Sequence, residues 1–224
     1  MSLGTPRIHR HVTGSTNDDA RALAAAGAPH GTLVTAGEQT AGRGREGRSW
    51  VAPPDSALLC SFVLRELPEL TSLRAGVAVA DAVGEAARLK WPNDVLLNGR
   101  KVAGILVEAR PRERWAVLGI GVNVAVELAQ LPAELHATAG TLGIGRAAIE
   151  PLLVLLVAAL ERRLEEPVGR TLDAWRSRDA LLGLTVAWSG GEGIARGVDE
   201  RGRLLVEALG ASHALEAGEV HLPR

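Results

Sequence analysis

Asn98-Gly99 is the feature that most restricts what this chain can fold into. The pair interrupts two largely apolar runs, residues 89–97 and 100–109. Asn-Gly between such runs signals a two-residue hairpin, because a type I′ turn needs positive φ at both central positions. A hairpin fixes register: Leu97 then faces Arg100, and Leu96 faces Lys101. Asp94 shares a strand face with Leu96, and therefore with Lys101. The two are diagonal neighbours roughly 7–8 Å apart at the backbone, within side-chain reach. A lysine and a carboxylate so placed can neutralise phosphate charge and hold Mg²⁺ or orient a nucleophile. A surface ion pair on a sheet explains the same spacing, and the hairpin alone does not separate the two readings.

The remaining pattern mixes helix and strand. Residues 17–26 predict a helix with Thr16 as its cap, Asp18 and Asp19 at its positive end and Gly27 as its stop. Strands are expected at residues 32–36, 57–65 and 115–124, and an alanine- and valine-rich helix at 70–88. Pro151 opens an amphipathic helix ending near Glu166, and a shorter helix follows around residues 172–181. From 184 to 222 the period changes to short strands broken at Ser189-Gly190-Gly191, 199–202 and Gly210. That reads as a small all-β barrel, too small to be comfortably stable alone and so expected to pack on the larger part. The division is residues 1–182 and 183–224, giving an α+β domain with a β appendage.

Several function classes are excluded early. The chain has 224 residues, 46% hydrophobic and 23% charged, which is ordinary for a globular protein with a real core. Its formal net charge of -1 gives no overall attraction to nucleic acid or a membrane surface. The single cysteine, Cys60, lies in an apolar run without a neighbouring base, so it reads as a packed core thiol; no internal disulfide is possible. Residues 1–12 carry no apolar signal segment, and the most apolar stretch, 152–159, falls far short of the ~20 residues a bilayer span requires. A cytoplasmic location is expected. The six histidines are scattered, with only His9-x-His11 close together, and there is no G-x-S-x-G elbow.

Residues 42–47, Gly-Arg-Gly-Arg-Glu-Gly, formally match the dinucleotide fingerprint. That fingerprint must open a helix, whereas here Pro53-Pro54 follow shortly after. An anion-binding loop is the alternative: the glycines allow close backbone approach, and Arg43, Arg45 and Arg48 supply planar donors. A merely solvated charged loop has the same composition. Ser15-Thr16-Asn17 places three small polar side chains at a helix start, more than capping needs. Asn123 stands in an otherwise apolar strand and must either bond a backbone loop or read a ligand.

Together these segments resemble biotin–protein ligases. The resemblance lies in Ser15-Thr16-Asn17, Gln39 followed by residues 42–50, Lys90-Trp-Pro-Asn-Asp-Val95, Lys101-Val-Ala-Gly-Ile-Leu106 with Glu108, and Gly119-Ile-Gly-Val-Asn-Val124, in the family's order and spacing. It implies a mixed sheet flanked by helices, related to class II aminoacyl-tRNA synthetases, and a C-terminal SH3-like barrel. It also implies two half-reactions. Biotin carboxylate attacks the α-phosphate of ATP, giving biotinyl-5′-AMP and pyrophosphate; a lysine of a biotin carboxyl carrier domain then attacks the mixed anhydride.

By the same resemblance, Ser15, Thr16, Asn17 and Gln39 would hold biotin, and Gly42, Arg43, Gly44 and Arg45 would close over biotin and the adenylate. Lys101 would be the catalytic lysine touching carboxylate and α-phosphate, with Asp94 orienting the incoming lysine or Mg²⁺. Arg43, Arg48, Trp50, Asn93 and Asn123 would face the nucleotide. Monomers and homodimers both occur in the family. Some members carry an N-terminal DNA-binding domain; Ser15 lies too close to Met1 for one here, so no DNA partner is expected. The rivals are a lipoate–protein ligase-like enzyme, which lacks this loop and motif pairing, and an inactive biotin-binding protein, which would require a missing Lys101, Asp94 or loop arginine.

Overall fold

The structure, a computed structural model, describes residues 3–216, 218 and 220–221. The first sheet has seven strands: β1 (Arg7–Thr13), β2 (Leu33–Gln39), β3 (Ala57–Leu64), β4 (Arg88–Lys90), β5 (Asp94–Leu97), β6 (Arg100–Arg110) and β7 (Trp115–Asn123). Their order is β1-β2-β3-β7-β6-β5-β4; the β1–β2 pair is parallel and the rest antiparallel, so the sheet is mixed. The helices are α1 (Thr16–Ala25), α2 (Thr71–Val83), α3 (Ile149–Glu165) and α4 (Val168–Arg176). A second, four-stranded antiparallel sheet is formed by β8 (Thr185–Trp188), β9 (Gly191–Val198), β10 (Leu204–Ala208) and β11 (Ala211–Leu215).

Alternation along β3 and β7 sends residues to two different interiors. Cys60, Phe62, Leu64, Leu118, Ile120 and Val122 join one large core with α2, α3 and α4. That core continues into the second sheet through Val186, Ala195, Val198, Leu204 and Val206, so the small unit does pack on the large one. On the opposite face α1 covers one end, with Ala20 and Ala24 against Val34, Val63 and Val117. At the other end Leu131 and Ala139 arch over Ala57 and Leu59. The space between these two covers is left open.

The hairpin forms as expected: Asn98 and Gly99 have φ of 50° and 73°, and Leu96 opposes Lys101. Its first arm does not. Residues 89–97 are expected as one strand, but Pro92 has no N–H to donate to a ladder, and the chain breaks there into β4 and β5. These pair with each other, Lys90 opposite Asp94, so Trp91-Pro92-Asn93 becomes a turn.

Other boundaries also move. The helix expected over 70–88 stops at Val83, because Gly84 adopts φ 119°. The helix expected around 172–181 lies at Val168–Arg176. Residues 7–13 form an edge strand that is exposed almost throughout, which is why no apolar pattern marks it. The far end of the pattern expected to reach residue 222 lies outside the described residues.

Candidate active site

The floor of the open space is bare backbone. Gly104 and Gly121 are register partners on β6 and β7, and the Trp50 indole lies across them. A Cβ on Gly121 would come within 2.6 Å of the ring, and one on Gly104 within 3.0 Å. Next to this platform, Lys101 Nζ sits 2.6 Å from Asp94 Oδ1 and 5.8 Å from the Trp50 ring centre.

A bulge makes this geometry possible. Val95 opposes Ala103 while Leu96 opposes Lys101, which leaves Val102 as an extra residue. Three residues apart in a regular strand, Lys101 and Gly104 would point to opposite faces. The bulge returns Lys101 to the face of Gly104, and its Cε lies 3.3 Å from where a Gly104 Cβ would stand.

At the α1 end the site is small and polar. Thr16 does not cap α1; Ser15 takes that position, without a side-chain capping bond. Instead Thr16 donates its N–H and hydroxyl to Gln39 Oε1, at 2.7 and 2.9 Å. Ser61 on β3 lies beneath, with its hydroxyl 2.8 Å from Thr16 Oγ1 and 2.6 Å from Asn17 Oδ1. Asn17 in turn donates to Glu108 Oε2 at 2.8 Å. Gly119 leaves room for Asn17, whose Oδ1 a Cβ there would overlap. Ser61 escapes notice in the sequence; its only signal is a hydroxyl inside an apolar run.

The arginine loop is folded on itself and opens no α-helix. Trp50 N–H donates to Gly42 O at 2.9 Å, Gly44 N–H to Arg48 O at 2.7 Å, and Arg43 bridges Ser49. Arg45 reaches Asn93 Oδ1 at a long 3.4 Å, while Asn93 donates to Ile105 O at 2.9 Å. Arg43 instead binds Asp18 at 2.6 Å and Glu108 at 3.0 Å. Asn123 does bond a backbone loop, Nδ2 to Gly140 O at 2.9 Å. Its Oδ1 is buried with no hydrogen-bond partner among the described residues, and so is Trp50 Nε1.

These parts enclose one cavity of about 710 Å³. Of the residues to which the resemblance gives a site role, all but Gly42 are on its wall; Gly42 sits behind it, against Gln39 and Trp50. Among the described residues Asp94 is the one carboxylate of the lining, opposed by Arg45, Arg48, Lys90 and Lys101. Such a wall favours anionic ligands. Cys60 is no part of it: the thiol is buried in the core, and burial pushes its pKa up to about 12.

A cation-lined cavity on one face of a mixed sheet, roofed by an arginine loop, is a site for joining anionic small molecules. Residues 11–124, which carry the loop and the hairpin, match the biotin/lipoate A/B protein ligase family, and the chain belongs to that family. It is 38% identical to a biotin–[acetyl-CoA-carboxylase] ligase of Mycobacterium tuberculosis, over 93% of this chain and 85% of the relative. A Paracoccus denitrificans protein of the same description is 36% identical, with 93% and 97% covered. Among solved structures, a biotin protein ligase from Aquifex aeolicus in complex with biotin and ATP superposes with a TM-score of 0.83. That match has 26% identity and covers 98% of this chain and 99% of that one.

Proposed function

We infer that this protein is a biotin–protein ligase, which activates biotin with ATP as biotinyl-5′-AMP and transfers it to a lysine of a biotin carboxyl carrier domain. The observation that carries this reading is the Lys101–Asp94 pair, set between a small polar end and an indole platform within one cation-lined cavity. Biotin and the nucleotide would occupy those two ends, with their reacting groups meeting at Lys101.

Ser15, Thr16, Asn17 and Gln39 hold the biotin ring system at the polar end. Trp50, Asn93 and Asn123 face the nucleotide: the unpartnered donor of Trp50 and acceptor of Asn123 match a base that offers both. A biotin carboxylate oxygen attacks the α-phosphate, the bond to the β-phosphate oxygen breaks, and pyrophosphate leaves. The acceptor amine then attacks the anhydride carbonyl, AMP leaves, and the amine gives up a proton.

Positioning two anions together is the main difficulty, and Lys101, Arg45 and Arg48 offset their repulsion. Asp94 orients Lys101 and, in the second step, the incoming amine. Closure of the loop over the adenylate excludes water, which would otherwise hydrolyse the anhydride.

Mg²⁺ enters with ATP as part of the substrate. Asp94 is already paired with Lys101, and no group of three His, Cys, Asp or Glu side chains among the described residues forms a metal site. Asp94 would at most add one ligand to an ion carried by the phosphates. We also read residues 183–224 as a separate SH3-like unit beside a class II synthetase-like domain; the four-stranded antiparallel sheet supports the first assignment. No helix among the described residues is long and apolar enough to cross a membrane.

The test is pyrophosphate release from the protein with ATP, Mg²⁺ and biotin, before and after adding a carrier domain. Slow release that becomes steady turnover is expected, with Lys101→Ala abolishing release while the melting temperature holds. Tight biotin binding without release would make the protein a binding module, and a preference for lipoate in competition would move it across the family.

A further inference from the structure

We propose that Glu108 and Asp18 are positioning residues: together they form a receptor for Arg43 that holds the arginine loop closed and so sets how long the adenylate stays bound. The proposal rests on the ligase reading above. Arg43 departs from the loop between Gly42 and Gly44, yet its guanidinium is engaged by the framework. Nη1 lies 2.6 Å from Asp18 Oδ1 on α1, and Nη2 lies 3.0 Å from Glu108 Oε1 on β6. Arg21 braces the same two carboxylates, at 3.3 and 3.4 Å.

The receptor is fixed independently of the loop. The Glu108 side chain is only 14% exposed, and its second oxygen accepts from Asn17 Nδ2 at 2.8 Å. Its backbone is paired to Val117 in the middle of the sheet. A guanidinium that makes one charge-assisted contact to each of two carboxylates, one of them mostly buried, is among the stronger polar anchors a loop can have. Arg45 has the opposite character. Its contact to Asn93 at 3.4 Å is at the long limit for a hydrogen bond, suiting a group that must exchange this partner for a ligand. The two loop arginines thus divide the work: Arg43 latches the loop, and Arg45 faces the occupant. Glu108 also joins the latch to Asn17, so ordering the polar end by biotin and fastening the loop act through one carboxylate.

The experiment compares wild type with Asp18→Asn, Glu108→Gln and the double variant, each loaded with biotin and Mg²⁺-ATP. Four quantities are read: loss of bound adenylate, pyrophosphate release in a single turnover at saturating substrates, tryptic cleavage after Arg43, Arg45 and Arg48, and the melting temperature. We expect the double variant to lose adenylate about tenfold faster, because both charge-assisted contacts are weakened to neutral ones while an acceptor oxygen remains at each. Its loop should be cut faster, with single-turnover release within about twofold of wild type. Raising salt to ~1 M should move wild type towards the variant and leave the variant unmoved, because the latch is a pair of partly exposed ion pairs.

Unchanged retention and cleavage in the double variant would overturn the proposal. So would retention lost together with slowed release and a lowered melting temperature, which would make Glu108 a framework residue. If wild type forms no adenylate, the ligase reading fails instead, and loop cleavage without ligand still decides the latch.

Discussion

On the helix-covered face of the large sheet, β3 and β7 present Phe62, Leu64, Leu118, Ile120 and Val122. One residue along, β7 presents Gly119, Gly121 and Asn123 to the cavity, and β3 sets Ser61 beneath Thr16 and Asn17 of its wall. One face fills its volume with side chains and gains the stability that burial gives. The other, between the α1 cover and the Leu131–Ala139 cover, removes side chains down to backbone, so that Trp50, Asn17 and a ligand can approach the sheet. A single set of strands therefore carries stability and site geometry at alternate positions, and the two should be separable by mutation.

Phe62→Ala attacks the filled face and should have the largest effect, costing about 3–5 kcal/mol of stability. The chain should still bind and adenylate biotin at temperatures where it remains folded, and denaturant unfolding beside an activity assay checks both. If activity fell more than the folded fraction, the two faces would not be independent. Gly121→Val attacks the bare face: its side chain would enter the space of the Trp50 ring. Pyrophosphate release should fall by about a hundredfold as the platform is displaced, with little change in melting temperature. A large loss of stability there would show that the bare face also contributes to packing.

The smallest effect sharpens the comparison at the polar edge of the helical layer. Asp81 on α2 is held by Arg162, Arg163 and Arg178, at 2.8, 2.8 and 3.1 Å. Burial pushes its carboxyl up, but the hydrogen bond from Arg163 and the charges of Arg163 and Arg178 outweigh this and hold it below its usual range. A carboxyl depressed in the folded state stabilises above its unfolded pKa, and that contribution is lost as pH falls through the folded value, below about pH 4. Asp81→Asn should remove about 1 kcal/mol at neutral pH and flatten the acid limb of the stability curve. Melting curves from pH 3 to 7 would show it, and a parallel acid limb in the variant would assign the effect elsewhere.

What could be read in the sequence follows the range of the interaction involved. The turn at Asn98-Gly99, the register it sets and the resulting Asp94–Lys101 pairing are local, and the structure keeps all three. The failure of residues 42–50 to open a helix was also local, visible in Pro53-Pro54. The bulge at Val102 was not legible, because a one-residue slip follows from how β6 meets both of its neighbours and not from its composition. Nor was the Arg43 receptor: Glu108 was visible as part of a motif, but nothing local says it meets a guanidinium 65 residues away. The edge strand Arg7–Thr13 carries no strand signal in the sequence because it exposes nearly every side chain. The break at Pro92 could have been foreseen from the proline alone.

Trp91 Nε1 donates to Gly202 O at 3.0 Å across the junction with the second sheet, but the feature with the most practical consequence is a smaller one. Cys60 is the chain's single cysteine, and its thiol is sealed in the core and hard to ionise. Maleimides and other thiolate-seeking reagents therefore have no native target in the folded protein. A cysteine introduced at Glu46, on the loop, would be the one reactive handle, and a fluorophore attached there would report opening and closing without background labelling. The natural chain is in this respect already prepared for single-molecule spectroscopy.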